Sequence, residues 1–196
     1  MRRRSARPRT LKVVVTGPFD AGKSTLIRTI SETTVLSTER PVTERAGHSG
    51  TTTVAMDFGR LTLPGDLALY LFGTPGQERF EFMWDILAEG MLGFVLVVDG
   101  SSIDDAESAE AARIRTHFEG LADVPYVVAV NKIGDDAQAA VERVRETIGL
   151  DEHVRIVPAD AREREDVKQV LVTLLREVLE QVQRRSGPQA RTGGLA

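Results

Sequence analysis

The stretch GPFDAGKS, residues 17–24, decides how the rest of this chain is read. It fits the pattern G-x-x-x-x-G-K-[ST] and stands between an apolar run, Leu11–Thr16, and a helix-forming segment, Lys23–Ser31. A strand that ends in a glycine turn and re-enters a helix gathers backbone N–H groups where the helix dipole favours an anion. Gly17 and Gly22 supply the backbone freedom for that turn. Gly17, Asp20, Ala21 and Gly22, with Lys23, Ser24 and Thr25, therefore form a candidate phosphate cradle. Lys23 is placed to reach the β- and γ-phosphates of a nucleotide, and the Ser24 hydroxyl to ligate Mg²⁺. Phe19 and Asp20 are unusual here. The ring could obstruct an arginine inserted by a partner, and the acid is unfavourable beside phosphate unless it points away or faces the metal. Both also suit solvent-facing loop positions.

Beyond the loop, apolar runs alternate with helical patterns. Strands are expected at Leu11–Thr16, Thr53–Phe58, Leu67–Phe72, Gly93–Asp99, Tyr126–Val130 and Val154–Val157. Several are valine-rich and apolar on both faces, as buried parallel strands are. Helices are expected at Lys23–Ser31, Glu78–Glu89, Asp104–Glu119, Asp136–Ile148 and Arg164–Arg184. The last carries Val167, Val170, Leu171, Leu174, Leu175, Val178, Leu179 and Val182 on one stripe. The alternation predicts an α/β fold of the P-loop NTPase type. Its doubly wound, mostly parallel sheet has six strands, with helices on both faces. One strand is antiparallel, because a short turn, Pro64, Gly65 and Asp66, joins Thr53–Phe58 and Leu67–Phe72 as a hairpin.

Composition narrows the function classes. The 196 residues suit one domain, expected at 11–184, between a basic disordered arm at 1–10 and a disordered tail at 185–196. A net charge of -4 argues against general nucleic-acid binding, and the absence of cysteine excludes disulfides and thiolate metal sites. The first ten residues, MRRRSARPRT, hold five arginines and no acid. An export signal would need a longer apolar segment than Val13–Val15, and no transmembrane stretch follows, so a cytoplasmic protein is expected. The arm could contact an anionic membrane peripherally, or be a solvated tail. His48, His117 and His153 show no metal spacing.

Four further stretches fall in the order and spacing of a small Ras-like GTPase. Thr53 precedes VAMDF (54–58), Gly76, Gln77 and Glu78 spell G-Q-E, Asn131–Lys132 ends a buried strand, and Asp160, Ala161 and Arg162 follow the last strand. TTTVAMDFGR (51–60) and LFGTPGQERF (71–80) resemble the bacterial branch of that superfamily, which includes the gliding-motility polarity switch and the actinomycete conservon G proteins. The resemblance implies GTP/GDP cycling with Mg²⁺, and a roadblock-type regulatory partner near a sensor kinase. It implies that Thr53 completes the Mg²⁺ shell, that Gln77 orients the attacking water, and that Gly76 N–H contacts the γ-phosphate. Asn131 would tie the base loop to the phosphate loop, Lys132 would cover the base, and Ala161 N–H would meet guanine O6. Arg40, Arg45 and Arg79 are conceivable arginine fingers or solvated charges.

The chain departs from that pattern twice. Gly73 replaces the aspartate that usually anchors Mg²⁺ through water, and Asp57, Asp99 or Asp20 could compensate. Gly134 replaces the aspartate of N-K-x-D, and a one-residue bulge could bring Asp135 to the base. Six of the ten aromatics lie in the hairpin and the following segment: Phe58, Tyr70, Phe72, Phe80, Phe82 and Trp84. Residues 80–84, FEFMW, hold too many large side chains for one buried stripe, so some are expected on a partner surface, whereas Phe58 and Phe72 suit the core. The reading is a GTP-binding switch with slow, partner-stimulated hydrolysis. The alternatives are a non-hydrolysing nucleotide-bound adaptor and an ATP-using P-loop enzyme.

Overall fold

The computed structural model describes residues 9–34, 36–37, 56–76, 80–101, 105–134 and 136–186. The chain runs β1 (Arg9–Thr16), α1 (Lys23–Ile30), β2 (Leu36–Ser37), β3 (Asp57–Leu63), β4 (Leu67–Gly73), α2 (Phe82–Ala88) and β5 (Gly93–Asp99). It continues through α3 (Asp105–Leu121), β6 (Tyr126–Asn131), α4 (Ala137–Ile148), β7 (Arg155–Pro158) and α5 (Arg164–Ser186). The strands form one sheet in the order β2-β3-β4-β1-β5-β6-β7. β1 pairs in parallel with β4 and β5, and β5–β6 and β6–β7 are also parallel. β3 is antiparallel to both β2 and β4, so it alone runs against the sheet among the described strands.

Strand alternation builds two cores. Val13, Val15, Val95, Val97, Val127 and Ala129 pack with Leu26, Ile27 and the Val167, Val170, Leu171 and Leu174 stripe of α5. Their neighbours Val14, Phe94, Leu96, Val98, Val128 and Val130 pack on the other face with Trp84, Ile114, Phe118, Val144 and Ile148. Strands covered on both sides need apolar residues at every position, which accounts for the valine runs. The strand order places β1 between β4 and β5, where crossovers leave in both directions. Its carboxyl end is the switch point at which α/β sheets hold ligands.

Several expected boundaries moved. The antiparallel strand is Asp57–Leu63, not Thr53–Phe58. A hairpin closed by Pro64–Asp66 must pair the residues that flank the turn, so Leu63 meets Leu67 and Asp57 meets Gly73. The polar residues Arg60 and Thr62 had hidden that strand. A two-residue strand, β2, adds an edge that was not expected. Arg9 and Thr10, assigned to the arm, pair with Leu67 and Ala68 in β1. The α5 stripe is buried through Leu174, but Leu179 and Val182 are exposed, because the helix outruns the sheet. Phe58 and Phe72 are half-buried, not core. They pack on each other with ring centroids 5.2 Å apart, and Phe58 lies edge-on to Tyr70, at the side of the sheet.

Candidate functional site

The phosphate loop turns where β1 ends, and its glycines are obligatory for two different reasons. Gly17 has φ 142°, and a Cβ there would lie 2.0 Å from Val97 O. Gly22 has φ 106°, and a Cβ there would lie 2.2 Å from Asn131 Nδ2. Neither left-handed position nor either contact admits a side chain. Lys23, buried at the start of α1, curls back to donate from Nζ to Gly17 O (2.9 Å) and Pro18 O (2.5 Å). Burial lowers its pKa to about 8, opposed by the charges of Glu110, Asp57 and Asp20. Ser24 and Thr25 follow on the first turn of α1.

Two other segments close on this loop. After β4, Thr74 N donates to Val15 O (2.9 Å) and Thr74 Oγ1 to Thr16 Oγ1 (2.8 Å), which docks residues 74–76 beside the loop. Gly76 packs so tightly that a Cβ would lie 2.8 Å from Lys23 Nζ and 2.8 Å from the Phe19 amide nitrogen. Trp84 Nε1, fully buried, donates to Pro75 O at 3.1 Å and ties α2 to the same stretch. On the other side, Asn131 at the end of β6 donates from Nδ2 to Ala21 O and accepts the Ala161 N–H on Oδ1, both at 2.9 Å. Thr29 Oγ1 adds a bond to Ala161 O (2.7 Å). Asn131 thus links the phosphate loop to the loop after β7, and it engages the Ala161 N–H that was assigned to guanine.

Between these segments lies a cleft of about 390 Å³ lined by Asp20, Gly22, Thr25, Asn131, Lys132, Ile133, Asp160, Ala161 and Arg162. Lys132, held at φ 53°, reaches Asp20 Oδ2 (3.0 Å) and Asp99 Oδ2 (2.8 Å). The hydrogen bond that Lys132 donates to Asp99 leads in raising the Lys132 pKa. Burial works against charge on Asp99, but its bonds from Lys132 and Ser101 outweigh that and keep its carboxyl below the ordinary value. Asp160 is drawn down to about 2, chiefly by the Arg162 guanidinium that forks onto it. The loop after Asn131 leaves open space at Gly134, where a Cβ would meet nothing within 4 Å.

The cleft gathers Asp20, Gly22, Thr25, Asn131, Lys132, Asp160, Ala161 and Arg162, while Gly17, Ala21, Lys23 and Ser24 belong to the adjoining phosphate loop and helix start, with Gly76 against Lys23. Thr53, Gln77 and Asp135 lie outside the described residues, as do Arg40, Arg45 and Arg79. Sequence reasoning did not foresee Asp99 as the partner of Lys132. The signal available was an acid closing an otherwise apolar strand, GFVLVVD.

A family described as "conserved hypothetical ATP binding protein" matches residues 15–181. The chain belongs to that family. It is also 33% identical over 127 residues to an uncharacterized protein of Methanocaldococcus jannaschii, covering 64% of this chain and 73% of that protein. It is 32% identical over 158 residues to the probable GTP-binding protein EngB of Haloarcula marismortui, covering 72% and 75%. Translation initiation factor IF-2 of Ehrlichia ruminantium is 30% identical over 179 residues, 86% of this chain but 19% of the factor. This is a nucleotide-binding P-loop protein with distant relatives among GTP-binding proteins.

Proposed function

We propose that the protein is a GTP-binding molecular switch that hydrolyses GTP to GDP slowly, with Mg²⁺, and faster with a partner. The observation that carries the reading is the position of Gly76 against Lys23 Nζ and the Phe19 amide. The stretch before Gln77 ends where a terminal phosphate meets the loop, so a bound γ-phosphate and Gly76 compete for the same surroundings. Phosphoryl transfer asks mainly for positioning and charge stabilisation. In this reading Lys23 neutralises the β/γ oxygens, Gln77 orients the water, and the Gly76 N–H turns toward the γ-phosphate. Ser24, with Thr53, would hold the metal. The buried Asp57 Oδ1, without a hydrogen-bond partner among the described residues, adds a hard oxygen that suits Mg²⁺. Bound Mg²⁺ supplies charge neutralisation at the phosphate oxygens.

The exposed rings and chains of α2 support a partner surface. Phe82 and Ile86 are 65% and 66% exposed, whereas Phe80 and Trp84 of the same segment are buried. A roadblock-type regulator beside a sensor kinase, and a place in the bacterial polarity-switch and conservon group, belong to this proposal through LFGTPGQERF. A membrane contact through the arginine-rich arm does too. Among the described residues no helix is long and apolar enough to cross a membrane.

Gly134 favours a second reading in which the base site is looser and ATP is accepted. Without the usual carboxylate, guanine N1–H and N2–H lose the acceptor that adenine cannot use. Denaturing the purified protein and identifying the released nucleotide by chromatography tests both. Guanine nucleotide is expected, and adenine nucleotide alone refutes the GTP reading. Single-turnover hydrolysis with the partner present, wild type against Gln77→Ala, tests the enzyme. Equal negligible rates leave a non-hydrolysing adaptor.

A further inference from the structure

We propose that Asp57 provides, from β3, the metal-anchoring carboxylate that Gly73 cannot provide from β4. The inference rests on Mg²⁺-dependent nucleotide binding as read above and assigns a residue to it.

The two residues face each other across the antiparallel pair, Asp57 opposite Gly73. A Cβ built on Gly73 would lie 3.1 Å from Asp57 Cβ and 3.5 Å from its Oδ2. The Asp57 side chain therefore fills the space into which a residue 73 side chain would project. The same end of the sheet adjoins the phosphate loop, because Gly73 also pairs with Val15, two residues before Gly17. Gly73 touches α1 as well: its Cβ would lie 2.9 Å from Ile27 Cδ1. Ile27 stands three residues after Ser24, on the same helical face, so Asp57 lies beside the strip of α1 that carries the candidate metal hydroxyl.

Asp57 is 5% exposed, and its Oδ1 has no hydrogen-bond partner among the described residues. A buried carboxylate oxygen left unpaired is costly unless a cation or ordered water answers it. The other two candidates are already committed. Asp99 is bound to Lys132 and Ser101, and Asp20 turns to Lys132, both at the base side of the cleft. Of the three, Asp57 is the one with a buried carboxylate oxygen that lacks a hydrogen-bond partner among the described residues, and its charge already acts on Lys23 of the phosphate loop. In this proposal the carboxylate comes from the neighbouring strand, and a side chain at Gly73 would meet both Ile27 and Asp57.

The test uses the full chain loaded with whichever of mant-GDP or mant-ADP the wild type retains, with release timed across a free-Mg²⁺ series buffered by EDTA. Asp57→Asn keeps the shape and removes the charge. It is expected to raise the Mg²⁺ midpoint for retention at least about tenfold while leaving release in EDTA unchanged. The pair Asp57→Ser with Gly73→Asp returns the carboxylate from β4 and is expected to restore the midpoint. An Asp57→Asn midpoint within twofold of wild type overturns the proposal. So does faster release of equal size with and without Mg²⁺, which is the mark of a merely structural role. Wild-type release that ignores Mg²⁺ overturns the metal-dependent reading as well, so the two failures are distinguishable.

Discussion

Replacing Asn131 by alanine removes two hydrogen bonds that join the phosphate loop to the loop after β7. The Ala161 N–H, in a buried residue, loses its acceptor at 2.9 Å. An unsatisfied buried donor costs about 1–3 kcal/mol. Ala21 O loses a donor at 2.9 Å, worth about 0.5–1.5 kcal/mol. The expected loss is therefore about 1.5–4.5 kcal/mol, and for a domain of this size about 3–18 °C in Tm. Urea unfolding followed by Trp84 emission measures it, with a lowered midpoint and an unchanged slope expected. Asn131→Asp sharpens the test. Its carboxylate can still accept from Ala161, but its second oxygen would face Ala21 O with no proton to give. The folded-state pKa of that new acid should rise above about 3.9, so the folded state binds the extra proton. Its deficit against wild type should then be largest near pH 7 and shrink as pH falls through the raised pKa. A loss under about 0.5 kcal/mol for Asn131→Ala, or a pH-independent deficit for Asn131→Asp, refutes the bridge as an energetic link.

Lys23 and Trp84 offer two further tests. Because burial lowers the Lys23 pKa to about 8 and phosphates favour its charged form, nucleotide binding should take up a proton above pH 8. Affinity should be flat below pH 8 and fall by up to about tenfold per unit above it. Titration calorimetry from pH 7 to 9.5 checks this, and Lys23→Arg should bind more weakly with a flat profile. The same shift makes the nucleotide-free protein gain stability between pH 8 and 10.5, where the unfolded lysine keeps a proton that the folded one has lost. Trp84 is the one tryptophan in the sequence and donates to Pro75 O. Its emission should change when GDP is exchanged for a non-hydrolysable GTP analogue, and constant emission would show that residues 74–76 do not respond to the γ-phosphate.

The site was legible in sequence wherever its parts are consecutive. GPFDAGKS between a strand and a helix located the cradle, because both glycine turn and helix N-terminus are built from adjacent residues. Asn131–Lys132 and Asp160–Arg162 were legible as strand-end loops, but their contacts were not. That Asn131 spends its amide on Ala21 and Ala161, and Lys132 its ammonium on Asp20 and Asp99, depends on residues up to 112 positions apart.

The sequence by itself determined the α/β class, the order of strands and helices and the phosphate loop, since these follow from local spacing and two-faced apolar runs. Tertiary structure decided the strand register and, through it, the chemistry around the metal. Thr53–Phe58 looked like the strand, yet the turn at 64–66 forces Asp57–Leu63 to pair with Leu67–Gly73. Only that register sets Asp57 against Gly73, and three interchangeable acids become two bound to Lys132 and one whose Oδ1 has no hydrogen-bond partner among the described residues. Which acid stands beside a given glycine is a matter of pairing across the sheet, and pairing is fixed by the turn and by burial on both faces, not by neighbours in the chain.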